Sequence, residues 1–289
     1  MRYFFGLIVI VLLLSASSIR CQESSPAKIR LDFEGNRVFN KEELTGVADR
    51  CLRTRNSFDS EDLEYCWRKV KQFLAGKGYL TSKLSSPMLR ETQNGLFLTV
   101  SIDEGPLYRL GSVQIKGSKL FSPTQILATL NLKTGDTANA DSISEWLYER
   151  VAKAYHDRGY LRYTAELEPE FHAEAGAPAG IVDLSVTIDE GGVFTIRSIK
   201  FDGNGNTSQD ALLGEMLMRT GDVFNKELLY ESLKRINETG NFEMIDLDKD
   251  VDYKADDNGT RLDLTIRLTK KRIRMLTPLS DNSSFALKT

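Results

Sequence analysis

Three stretches of this chain open in the same way, and that repetition limits its fold more than any other feature. They are Ile29-Arg30-Leu31-Asp32-Phe33-Glu34-Gly35-Asn36, Val113-Gln114-Ile115-Lys116-Gly117-Ser118 and Ile199-Lys200-Phe201-Asp202-Gly203-Asn204. Each alternates apolar with polar residues and ends at glycine, the pattern of a short half-buried strand running into a turn. The turn glycines stand 82 and 86 residues apart, so each copy has the length of one small module in a tandem array.

Each opening strand leads into a helix whose start is readable. Asn40 and Glu43, Ser122 and Gln125, and Thr207 and Asp210 place a capping oxygen three residues ahead of a side chain that can reach back. Pro123 occupies a first helical position, where its missing N–H costs nothing. Leu44, Val47, Ala48 and Cys51 form an apolar stripe in the first copy, and Leu213, Met216 and Leu217 form one in the third. A second helix follows, carrying Leu63, Cys66, Val70, Phe73 and Leu74, then Ile143, Leu147, Val151 and Tyr155, then Leu229, Leu233 and Ile236. These helices stop at Gly78-Tyr79, Gly159-Tyr160 and Gly240-Asn241-Phe242, where glycine supplies the left-handed turn.

Two strands close each copy. The last is the clearest: Leu96, Leu98, Val100 and Ile102; Val182, Leu184, Val186 and Ile188; Leu262, Leu264, Ile266 and Leu268. This alternation predicts a sheet with one buried and one wet face. The first two copies end on the same tripeptide, Asp103-Glu104-Gly105 and Asp189-Glu190-Gly191. The order is therefore β-α-α-β-β, three times.

This order, the glycine turn, the Gly-Tyr junction and the Asp-Glu-Gly ending resemble the POTRA (polypeptide-transport-associated) domains over residues 27 to 270. The resemblance implies an α+β fold of three tandem modules, each a three-stranded mixed sheet covered on one face by two helices. The expected modules are 27–104, 105–191 and 192–270. The family's sheet order leaves the second strand at an edge, whose unpaired N–H and C=O groups can take an incoming extended chain. The candidate edges are Tyr79 to Ser85, with Tyr79, Thr81 and Lys83; Tyr160 to Glu168, with Tyr160, Arg162 and Tyr163; and Phe242 to Tyr253, with Ile245, Leu247, Lys249 and Val251. In the third, Asp246, Asp248, Asp250 and Asp252 read as one acidic face, either a solvated face that blocks aggregation or a docking strip. The resemblance implies a periplasmic scaffold that binds other polypeptides, outer-membrane barrel components or unfolded barrel precursors, and reaches the outer membrane through them. An envelope or division structural protein, anchored by an uncleaved N-terminus, is the alternative.

The N-terminus fits export. Arg2 precedes the apolar run Phe4 to Leu14, followed by Ser15, Ala16, Ser17 and Ser18, the order of a signal peptide ending by residue 21; an uncleaved anchor is the other reading. Cys51 and Cys66 then remain as an even pair, either a candidate disulfide or two separately buried thiols. Residues 271–289 read as a polar tail, and the few residues there cannot supply the eight strands of even a small membrane barrel.

Chemistry is not nominated anywhere. A net charge of −3 gives no basic face for nucleic acid. His156 and His172 stand outside any metal-binding spacing. Asp202-Gly203-Asn204-Gly205-Asn206 opens like a calcium loop, but Thr207 and Leu213 occupy the positions that need glycine and a carboxylate. No catalytic residue, metal site or cofactor is expected.

Overall fold

A computed structural model describes residues 30–52, 60–92, 95–256 and 259–271. The expected signal segment and the tail after Lys271 lie outside the described residues.

The first module comprises β1 (Arg30–Glu34), α1 (Lys41–Leu52), α2 (Ser60–Gly76), β2 (Lys83–Leu84), β3 (Met88–Thr92) and β4 (Gly95–Asp103). The second holds β5 (Leu107–Lys116), α3 (Pro123–Leu127), α4 (Ala140–Glu145), a π-helical stretch Trp146–Val151, α5 (Ala152–His156), β6 (Thr164–His172) and β7 (Ala179–Asp189). The third holds β8 (Thr195–Asp202), α6 (Gln209–Glu215), α7 (Lys226–Glu238), β9 (Val251–Ala255) and β10 (Arg261–Arg267).

The sheets are built alike. The last strand of each module lies in the centre, parallel to the opening strand and antiparallel to the second. In the first module β2 and β3 are two pieces of one second strand, both paired with β4. Phe33, Leu44, Val70, Leu74 and Val100 form the first core. Trp146, Leu147, Tyr155, Val186 and Ile188 anchor the second, and Phe224, Leu229, Leu233, Leu264 and Ile266 the third. Helices cover one face of each sheet, and the other is wet: Arg197 pairs with Asp263 and Arg267 with Asp252 across it.

Two helix starts are as the sequence predicts. Asn40 Oδ1 accepts the Glu43 N–H at 2.8 Å while Glu43 returns the bond at 3.2 Å; Ser122 and Gln125 make the same reciprocal pair. The third starts one residue later, because Ser208, not Thr207, accepts the Ala211 N–H, and the Thr207 carbonyl is engaged by Asn204 Nδ2. Of the expected stripe only Met216 is buried, together with Leu212 and Met218, while Leu213 and Leu217 are exposed.

Cys66 is buried and disulfide-bonded. The side chain of Cys51, its expected partner, lies outside the described residues, and we propose it as the other half. The loop closed by that pair has about 15 residues, for which chain entropy assigns about 3 kcal/mol. Cys66→Ala should therefore lower the stability of the first module by about that amount, read as a urea midpoint that equals reduced wild type. A midpoint equal to oxidised wild type would exclude a stabilising staple there.

Candidate polypeptide-binding edges

The expected edge residues divide into those that reach a strand and those that do not. Tyr79 and Thr81 precede β2, and only Lys83 enters it. Tyr160, Arg162 and Tyr163 precede β6. The aromatic residues are held by the cores instead: Tyr79 packs in the first module, and Tyr160 and Tyr163 in the second. Tyr163 is buried and donates its hydroxyl to the Leu147 carbonyl.

The third edge needs the larger correction. Ile245, Leu247 and Lys249 lie in an excursion ahead of the strand, which starts at Val251. The aspartates cause it. Asp246 Oδ1 accepts the Asp248 and Lys249 N–H groups, and Asp250 Oδ2 accepts the Asp246 N–H. Short acidic side chains that bond their own backbone compete with a ladder, so the Asp246 and Asp250 carboxylates fold a turn that includes Asp248, and the aspartates do not line one face of a strand. Ile245 turns inward, its N–H donated to Asn237 Oδ1 on α7.

These local choices grade the three edges. The first is broken at Ser85–Pro87, where proline cannot donate to a ladder. The third is broken by the excursion. The second, β6, is continuous over nine residues, in unbroken antiparallel register with β7 from Thr164↔Asp189 to His172↔Ile181. Its outer side pairs with no described strand. Pro169 sits within that register, so its missing N–H belongs to the outer row. Ala165, Leu167 and Phe171 share its parity, and their N–H and C=O groups face outward with it.

Two buried carboxylates hold the sheet ends beside these edges. Glu104 Oε1 accepts the N–H groups of Arg37 and Val38 at 2.9 and 3.1 Å. Glu190 Oε1 accepts those of Lys119 and Leu120 at 2.6 and 2.8 Å and the Tyr155 hydroxyl at 2.9 Å. Burial pushes the Glu190 carboxyl up, but these three donors outweigh it and hold it below the usual glutamate value. The repeated Asp-Glu-Gly was the sequence signal for this clasp. In the third module Lys270 stands in the corresponding place and Gly205 takes a left-handed φ of 59°, so the loop closes on its own Thr207 N–H to Asn204 carbonyl bond.

The modules dock by one repeated device. The carbonyl of the helix-ending glycine accepts a bond from the next module's opening segment: Tyr108 N–H to Gly78 and Phe194 N–H to Gly159, each at 2.9 Å. Leu80, partly buried, then packs against the core of the second module, and Leu161 against that of the third. The second junction carries more. Lys153 bridges Asp157 at 2.8 Å and Glu227 at 2.6 Å, Asp157 accepts the Glu227 N–H, and the Arg162 guanidinium lies over the Phe194 ring. At the first, Gln72 Nε2 donates to Asp141.

The two histidines lie apart. His156 is half-buried on α5, and burial holds its imidazole below the usual value. His172 Nε2 lies 3.1 Å from Asp183 Oδ2; the Ser112 N–H and hydroxyl both bond that carboxylate and hold its pKa low. Among the described residues no group of three His, Cys, Asp or Glu side chains could hold a metal ion, and no helix is long and apolar enough to cross a membrane.

Known proteins share this arrangement. The chain is 25% identical over 262 residues to the outer membrane protein assembly factor BamA of Neorickettsia risticii, covering 88% of this chain and 34% of that protein. It is 22% identical over 205 residues to BamA of Nitratidesulfovibrio vulgaris, covering 70% of this chain and 25% of the relative. The chain thus spans about a third or less of these relatives. The crystal structure of Haemophilus influenzae BamA POTRA3-5 superposes with a TM-score of 0.65 at 19% identity, over 84% of this chain and 96% of that one. The family model described as "POTRA: Surface antigen variable number repeat" matches residues 29–105, 108–191 and 194–271, each span one β-α-α-β-β unit, and the chain belongs to the POTRA family.

Proposed function

We propose that this protein is an exported, periplasmic polypeptide-binding scaffold of outer-membrane protein assembly, and that it takes extended segments on the free edge of β6. The observation that carries the reading is the exposed outer edge of β6, a strand paired without a break to β7 and short of one outer donor at Pro169, in the middle of a three-module POTRA array. An incoming strand there gains main-chain hydrogen bonds, which supply affinity, while its alternate side chains meet the two faces of the sheet, which supply selectivity. The relatives named as assembly factors support the setting. Binding at such an edge needs no catalytic group.

Site-specific photo-crosslinking in the cell envelope tests it. A probe at Glu168 on β6 is expected to capture outer-membrane barrel components or barrel precursors, whereas one at Leu247 in the third-module turn is expected to capture far less. Equal capture at both positions, or adducts confined to cell-wall and division proteins, would remove the assembly reading.

A further inference from the structure

The side chains of β6 sort by parity into two unlike rows. Ala165 and Leu167 pack towards the helices of the second module, and Phe171 lies beside the Tyr108 ring with centroids 4.9 Å apart. Glu166, Glu168 and Glu170 stand opposite Thr187, Ser185 and Asp183 on the open face. All three glutamates are exposed. Among the described residues neither Glu166 nor Glu168 has a cation within ion-pair distance, and Glu170 is 3.8 Å from His172. The third-module edge differs, since Asp252 of β9 is already paired with Arg267.

We infer that β6 selects an extended polypeptide carrying lysine or arginine at alternate positions with apolar residues between them. This rests on the reading of β6 as a binding edge. A strand added at β6 lies about 4.8 Å away, with its alternate side chains directly opposite those of the edge. One row then meets Glu166, Glu168 and Glu170, where cations are favoured. The other meets Ala165, Leu167 and Phe171, where apolar side chains extend the core. The same row of like charges disfavours antiparallel pairing of two β6 edges, because glutamate would face glutamate. The edge is thereby closed to a second copy of itself and open to a basic strand.

Three acetylated, amidated heptapeptides decide it: alternating lysine–valine, glutamine–valine and glutamate–valine, titrated into the full chain and followed at the amides of Ala165, Leu167 and Phe171. At low ionic strength the lysine peptide should bind about tenfold more tightly than the glutamine peptide, the summed effect of three exposed ion pairs. In the variant E166K/E168K/E170K the order should reverse in favour of the glutamate peptide. Equal affinities, unmoved by charge reversal, would overturn the selectivity and leave the binding edge standing. If no peptide perturbs these amides, the edge reading itself fails.

Discussion

Glu190→Ala is expected to destabilise the second module by about 3 kcal/mol, since it leaves buried donors without their acceptor. The carboxylate ties the Lys119–Leu120 loop and the Tyr155 hydroxyl to the end of β7, and nothing else described can replace it. Trp146, fully buried in the same core, reports the loss by fluorescence in a Trp67→Phe background. The urea midpoint of that transition should fall by about 1.5 M for a module-sized slope. Glu190→Gln retains one acceptor oxygen and should lose less than half as much. The pH dependence has a definite sign. The folded-state pKa of Glu190 lies below its ordinary value, so its contribution is complete above the unfolded value near 4.3 and is lost as pH falls through the folded value. Wild type should therefore lose stability below about pH 4 more steeply than Glu190→Gln. Identical acid limbs in the two proteins would show that the carboxylate charge is idle.

Gly159→Ala is expected to open the junction between the second and third modules. Gly159 has a φ of 86°, and an added Cβ would stand 2.7 Å from Val223 Cγ1 and 3.1 Å from the Phe194 carbonyl. The left-handed backbone alone costs alanine about 1–2 kcal/mol, and the contact with Val223 adds to it. Separating the modules relieves the contact, so the strain should appear as junction opening. Hydrogen exchange at the Phe194 amide, which donates across that junction, should accelerate about 30-fold for a 2 kcal/mol change. The Tyr108 amide, which makes the equivalent bond at the first junction, should be unaffected. Gly240→Ala is the control: Gly240 has a φ of 74°, but an added Cβ there would meet nothing within 4 Å, so it bears the backbone cost alone. Unchanged Phe194 exchange in Gly159→Ala would mean that the junction does not depend on this close approach.

The central strands were legible because their physics is simple. Val182, Leu184, Val186 and Ile188 are buried on one side only, and a period of two admits no other arrangement over that length. The capping boxes at Asn40 and Ser122 were legible for a similar reason, as both partners lie within three residues. The edges were not. Ile245, Leu247 and Val251 alternate with aspartates as a strand would, but the pattern is silent on whether Asp246 bonds a partner strand or its own turn, and the local bond won. The first edge was read as Tyr79 to Ser85 without the break that Pro87 brings, whose consequence depends on the position of β4, set by tertiary structure. The pairing of Glu104 and Glu190 with loops some 70 residues away is likewise a product of the fold. What distinguishes β6 is thus a comparison among three modules, and it required all three sheets.

The docking device has one more consequence. With a glycine carbonyl bonded to the next module and a leucine packed against its core at both junctions, the spacing between successive sheet edges is constrained. Under the proposed reading of β6, a client long enough to engage it and one of the shorter neighbouring edges would meet the second site at an effective concentration set by this geometry, in the millimolar range for a short connecting segment. Two contacts that are each too weak to retain a chain would then do so by avidity, and loosening either junction would weaken retention without altering a single contact residue.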